Sequence, residues 1–167
     1  SNASLAVTGT TLRIWSHDNF GEDLIINARD AGIFYWDRTN GVSTRAVLLS
    51  SLTNSELAPT IAKKVIVSDR DRHIIAFGCD PENSTTQDPL LIRFSSQESN
   101  ISWAAKATNT AGDLRLGGGS TFVQAVETKQ LILVFTNKTL HAMKFIGPPF
   151  TFGLQELSKN ITIMSPA

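Results

Sequence analysis

Apolar residues come in short runs along this chain, and Gly, Asn, Asp, Ser and Pro separate them. A first set holds "TLRIWS" (Thr11–Ser16), "DLIINA" (Asp23–Ala28) and "GIFYWD" (Gly32–Asp37). A second holds "KKVIVSD" (Lys63–Asp69), "HIIAFG" (His73–Gly78) and "PLLIRFS" (Pro89–Ser95). A third holds "TFVQAVE" (Thr121–Glu127), "QLILVFT" (Gln130–Thr136) and "TLHAMKF" (Thr139–Phe145). Runs this short, bounded by turn formers, predict strands. The best helix candidate, Ser51–Lys64, contains Pro59, and its apolar residues are too sparse for a steady helical face.

The sets repeat with a period of about 50 residues, a spacing typical of propellers and other repeat arrays. The second is lengthened by "CDPENSTTQD" (Cys79–Asp88) between its middle and third runs. Short polar links join neighbouring runs: "SDRDRH" and "ETKQ" after first runs, "ARDAG" and "TNKT" after middle runs. Such links make the neighbours antiparallel. The middle runs are apolar at nearly every position, which predicts burial on both faces in stacked sheets. Each third run is followed by a candidate fourth strand: Thr44–Leu49, then "DLRLG" or the stretch at Trp103, then Thr151–Leu157. The expectation is an all-β, β-propeller-like fold of about three four-stranded antiparallel blades, a partial propeller. The units fall at approximately 11–60, 61–117 and 118–167 within one domain, 4–167. Ser1–Ala3 reads as a cleaved-tag remnant, and "NITIMSPA" as a strand that stops short. A β-sandwich is the competing architecture.

Composition narrows the function classes. In 167 residues, Lys+Arg and Asp+Glu both number 15, so the formal charge is zero. A general nucleic-acid or membrane-surface binder would show a basic excess. The single cysteine, Cys79, rules out an intramolecular disulfide and a cysteine metal cluster, and reads as a small core hydrophobe. No apolar run is long enough for a membrane-spanning helix.

"RFSSQESNISW" (Arg93–Trp103) stands out as a polar stretch ending on a tryptophan. Ser96, Glu98, Asn100 and Trp103 have the spacing of the Asp-box turn of sialidase-type propellers, Ser-x-Asp-x-Gly-x-x-Trp, which they resemble. Glu98 replaces the Asp, and Asn100 replaces the Gly, where Asn tolerates a left-handed backbone. The reading is a structural turn pegged by the Trp ring, with a ligand loop as the alternative.

Catalytic patterns do not emerge. His17, His73 and His141 lack metal-ligand spacing. "HDNFGED" (His17–Asp23) reads as a solvated turn, since calcium-loop spacing is missing. "GGGS" (Gly117–Ser120) precedes a strand rather than a helix, so it reads as a flexible connection, not a phosphate loop. Sialidase chemistry needs an arginine cluster and a tyrosine nucleophile. Tyr35 lies in an apolar run, and Arg13, Arg93 and Arg115 make no such set. The sequons at Asn83, Asn100, Asn137 and Asn160 are those expected by chance in an Asn-, Ser- and Thr-rich chain. "GPPFTFG" (Gly147–Gly153) presents Phe150 and Phe152 either as core plugs or as an aromatic partner contact.

A family resemblance is carried by "NFGEDLI", "GIFYWD", "VIVSDRDRHIIAFG", "DPLLIRFSSQES…W", "TAGDLRLG", "ILVFTNKTLHAMKFIGPPFTFG" and "NITIMSP". From about Leu12 to Pro166 the chain resembles tail-associated virion proteins of tailed bacteriophages, of the propeller-bearing hub, nozzle or DNA-stabilisation type. The resemblance implies a longer parent protein and a non-enzymatic structural role in the phage tail, with no cofactor or metal. It implies virion localisation after synthesis in the bacterial cytoplasm. Expected partners are other tail proteins and a second copy of the chain, which would close a six-blade ring. The alternatives are a carbohydrate-binding sialidase-like module and a DNA-channel lining.

Overall fold

A computed structural model describes residues 14–161, together with 163 and 166. The tag-like start, Thr11–Arg13 and half of the final "NITIMSPA" lie outside the described residues.

Among the described residues, twelve strands form three four-stranded antiparallel sheets, each a simple meander. Sheet 1 contains β1 (Trp15–Phe20), β2 (Asp23–Ala28), β3 (Ile33–Trp36) and β4 (Val47–Leu48). Sheet 2 contains β5 (Lys64–Val67), β6 (Ile74–Phe77), β7 (Leu91–Phe94) and β8 (Gly112–Arg115). Sheet 3 contains β9 (Phe122–Glu127), β10 (Ile132–Thr136), β11 (Thr139–Gly147) and β12 (Thr151–Lys159). Among the described residues, only single 3-10 turns, at Arg38–Asn40 and Leu49–Ser51, interrupt this all-β pattern. The Ser51–Lys64 segment forms irregular backbone, as its sparse apolar positions require.

The strand expectations hold with one displacement. The first strand of sheet 1 runs four residues past Ser16, to Phe20, so most of "HDNFGED" is strand rather than turn. The turn itself is Gly21–Glu22, because Phe20 pairs with Asp23 across a two-residue hairpin loop. Gly21 has φ +67°, the left-handed conformation such loops favour. The fourth strand of sheet 2 is the "DLR" segment, not the stretch at Trp103.

The sheets pack as layers with sheet 2 in the middle. Its central strand β6 places Ile74, Ile75, Ala76 and Phe77 all at 0% exposure, so both faces are covered. One face joins Ile25, Ile33 and Tyr35 of sheet 1 around Val65, Ile74 and Trp103. The other joins Phe122, Ile132, Val134 and Met143 of sheet 3 to Ile75, Phe77 and Ile92. Phe77 stacks on Phe122, with ring centroids 5.0 Å apart.

First strands lie beside first strands: β5 contacts β1 on one side and β9 on the other. β5 pairs only with β6, leaving an edge. Polar side chains from its flanks cap that edge. Ser16 Oγ accepts from Val65 N at 3.3 Å, Asp18 Oδ2 from Val67 N at 2.9 Å, and Glu127 Oε1 from Asp69 N at 3.0 Å. Unpaired strand amides otherwise recruit foreign strands, so this capping both satisfies and blocks the edge.

Register assigns two further faces. On sheet 1, Leu24 pairs with Trp36, and Ile26 with Phe34, which pairs with Leu48. These residues point away from sheet 2 and are half-buried or exposed. On sheet 3, Val126 pairs with Leu133, and Phe135 with Leu140, again on the face away from sheet 2. The three-layer stack therefore ends in an apolar face on each side.

Ile75→Ala leaves a void between sheets 2 and 3 and should lower stability by about 2–5 kcal/mol in urea unfolding. Val126→Ala, at an outer face, should cost less than about 1 kcal/mol. Equal losses would mean that the middle sheet is not the core.

Candidate functional site

The polar stretch Arg93–Trp103 leaves β7 and turns back between the third and fourth strands of sheet 2. Trp103 is buried, and its indole Nε1 donates to Asn100 O at 3.0 Å. Its backbone N donates to Glu56 O, and Glu56 N donates to Ile101 O, tying the loop to the segment before sheet 2. Ser99 Oγ accepts from Ile101 N and Ser102 N. Ser96 contributes its backbone N–H to Ser102 O, and its hydroxyl lies 3.4 Å from that of Thr110.

Two details depart from the Asp-box analogy. Glu98, with φ +56°, occupies the left-handed position, and Asn100 does not. The Glu98 carboxylate does not cap the loop but meets Arg72 at 3.2 Å. Ser99, absent from the four motif positions, supplies the cap. The arrangement is a turn pegged by a buried indole, with Ser96, Asn100 and Trp103 bound to backbone or core and Glu98 in a surface ion pair.

The other chemistry-bearing residues are dispersed. His17 lies exposed on β1. His73 is fully buried, with Nε2 3.1 Å from Thr110 Oγ1 and Nδ1 without a partner. Phe94, Phe145 and Phe152 surround its ring. Burial holds the His73 imidazole below its usual range, with nearby Asp71 opposing. His141 is buried with Nε2 3.9 Å from Glu156. Among the described residues no group of three or more His, Cys, Asp or Glu could hold a metal ion. Cys79 sits in the core between sheets 1 and 2, and burial pushes its thiol up to about 12. Such a thiol stays protonated and is a poor nucleophile.

Tyr35 donates its hydroxyl to Asp23, and burial pushes its pKa upward. Arg13 lies outside the described residues. Arg93 is 2% exposed and spends its guanidinium on the carbonyls of Asp80, Leu57 and Trp103. Arg115 is exposed and pairs with Asp88 at 3.0 Å. Arg93 and Arg115 thus form no shared anion pocket with Tyr35.

The "GGGS" stretch at residues 117–120 is not the flexible connection expected from its composition. Gly118 and Gly119 have φ +73° and +81°, and a Cβ at Gly119 would meet Thr136 Oγ1 at 2.6 Å. Ser120 N donates to Asn137 Oδ1, so this connection is packed against the β10–β11 turn. The pair Phe150 and Phe152 divides. Phe152 is 2% exposed in the core shared by sheets 2 and 3, which corrects its reading as a partner contact. Phe150 is 73% exposed at the β11–β12 turn.

Sequence reasoning missed three polar groups. Asp80 accepts from Thr60 N, Thr60 Oγ1 and Ile61 N, beneath Arg93. Asn27, inside the apolar run of β2, donates toward the carbonyls of Ala28, Ala31, Gly32 and Ala62, joining sheets 1 and 2. Its one signal was a polar residue at a position that should be apolar. The third is a basic cleft around Arg29, Lys63 and Lys64. No protein-family model and no curated protein matches the chain. No helix among the described residues is long and apolar enough to cross a membrane.

Glu98→Gly should be neutral or stabilising by up to about 1 kcal/mol, because it relieves a left-handed backbone and loses only an exposed ion pair. Asn100→Gly should destabilise, and the opposite order in chemical denaturation would restore the Asp-box assignment.

His73 gives a signed pH dependence. In the unfolded chain it takes a proton below about 6.5, while the buried ring resists one. Its contribution is therefore complete above that pH and is lost as pH falls toward the lowered folded value. Urea unfolding at pH 7 and pH 5.5 should show the wild type losing more stability than His73→Gln. Parallel losses would place the pH sensitivity elsewhere.

Proposed function

We propose that the chain is a non-enzymatic structural module of a bacteriophage tail, built of blade-like sheets that assemble through the two outer faces of the stack. The observation that carries this reading is the equivalence of those faces with ones already used inside the chain. Ile25 of sheet 1 and Ile75 of sheet 2 both point to the following sheet, and Leu133 holds the same place in sheet 3. Ile74 and Ile132 point to the preceding sheet, and Leu24 holds that place in sheet 1. The forward face of sheet 3 and the backward face of sheet 1 are thus the two halves of a contact that the chain makes twice internally.

A sheet-to-sheet contact of that kind is heterologous, and repeating it generates a ring if the rotation closes. Propellers of six blades are well within the usual range, and two copies of this chain would supply six. Further blade units of a longer polypeptide would satisfy the same faces. The tail assignment rests on the sequence resemblance, and the scattered placement of Tyr35, Arg93, Arg115 and the histidines favours a structural role over sialidase-like chemistry.

Size-exclusion chromatography with light scattering should return a dimer or closed ring. Leu133→Arg or Ile26→Arg should dissociate it without changing the far-ultraviolet circular dichroism. A monomer across the micromolar range would remove self-assembly as the use of these faces. Immunogold labelling of phage particles that encode the chain should mark the tail, and label absent from purified particles would sink the tail assignment.

A further inference from the structure

The chain has no net charge, yet one cleft gathers three basic side chains, Arg29, Lys63 and Lys64, and no acidic one among the described residues. It measures about 230 Å3 and lies where the start of β1 meets the start of β5 and the side of β9. Arg29, Lys63, Lys64 and His17 line it, with Ser16 and the indole of Trp15. Among the described residues no carboxylate lines it. Gln124 and Pro166 also line it, and Gln124 Nε2 donates to the Pro166 carbonyl.

The cations differ in how far they are neutralised. Lys63 meets Asp30 at 2.7 Å. Among the described residues Arg29 hydrogen-bonds only to carbonyls, those of Val123 and Phe122 at 3.1 and 3.3 Å, and feels the Asp30 charge from beyond salt-bridge distance. Lys64 bonds the amide oxygen of Gln124, with Asp18 more distant and already engaged by Val67 N. Ser16 Oγ accepts from Val65 N, which leaves its own proton free to donate. Burial lowers the pKa of both Arg29 and Lys64, and the charge of Arg29 lowers that of Lys64 further. Two half-buried cations held near one another, neither with a carboxylate at salt-bridge distance among the described residues, are a charge arrangement that an anion completes.

We infer that this cleft binds a phosphate-type oxyanion, held by the Arg29 guanidinium, the Lys64 ammonium and the Ser16 hydroxyl. The Trp15 indole, 60% exposed at the rim, offers a flat apolar surface beside it. Arg presents a planar fork that fits two phosphate oxygens, and Lys adds a point charge. The ligand is either a small free phosphate compound or a phosphodiester of single-stranded nucleic acid, in which case an adjacent base could stack on Trp15. The inference stands independently of the assembly reading, because it concerns the first strands and not the outer faces of the stack.

Calorimetric titration of the intact chain with pyrophosphate, at fixed ionic strength, tests it. One saturable site is expected. Lys64→Gln should weaken binding about tenfold, as loss of one charge-assisted contact does. Lys64→Arg should retain it, and Lys144→Gln, on a different face, should leave it unchanged. Thermal melts of the three variants establish that each is folded. No saturable heat, or equal affinity in Lys64→Gln and wild type, overturns the site. A fluorescent twelve-nucleotide oligothymidylate separates the sources. If it binds and pyrophosphate displaces it, the ligand is a nucleic-acid backbone. If pyrophosphate binds and the oligonucleotide does not, it is a small phosphate.

Discussion

Sheet 2 has no face that can meet water, and everything else follows from that. Ile74 and Ala76 point one way from β6, Ile75 and Phe77 the other, and all four are fully buried. A four-stranded sheet with two apolar faces is unstable alone and demands a sheet on each side. Sheets 1 and 3 meet that demand with one face each. Their remaining faces inherit the same problem at the next layer, which is why the ends of the stack carry Leu24, Ile26, Phe34 and Trp36 on one side and Val126, Leu133, Phe135 and Leu140 on the other.

Burial at this density leaves little room for polar groups, and those present are bound closely. Arg93 sits in the interior because three carbonyls from three separate segments converge on its guanidinium and the Glu82 carboxylate lies 3.7 Å from it. A buried charge without such partners would cost several kcal/mol. Asp80 gathers the Thr60–Ile61 amides in the same region. Asn27 replaces a hydrophobic residue in β2 and joins the β2–β3 turn to the entry of β5. Ser16, Asp18 and Glu127 cap the free edge of β5. The polar network therefore sets the relation between sheets that apolar packing alone leaves free to slide.

The same economy explains the loop after β7. Its tryptophan plugs the interface between sheets 1 and 2, and its hydroxyls and carbonyls satisfy its own backbone. A loop so thoroughly engaged has few groups left for a ligand. The cationic cleft is the opposite case: its carbonyl and amide partners leave positive charge unneutralised. Structural and ligand-seeking polar residues are distinguished here by whether their charge is answered within the chain.

Periodicity and turn chemistry in the sequence alone determined the strands and their meander order. Alternation, short polar links and doubly apolar middle runs are local properties, so eleven of the twelve strands overlap the expected runs closely, and β1 is shifted only because His17–Asn19 are polar yet extended. The turn character of Ser96–Trp103 was legible for the same reason, although a spacing rule could not reveal that Glu98 rather than Asn100 takes the left-handed backbone. Tertiary structure alone decided which polar residues act together. Arg29, Lys64 and Ser16 lie far apart along the chain, as do Arg93, Leu57 and Asp80. Phe150 and Phe152, two positions apart and chemically identical, part company because Phe150 lies in the turn and Phe152 in β12, with Thr151 between them at φ +62°. Contacts between sheets depend on how layers stack, and no local pattern encodes that stacking.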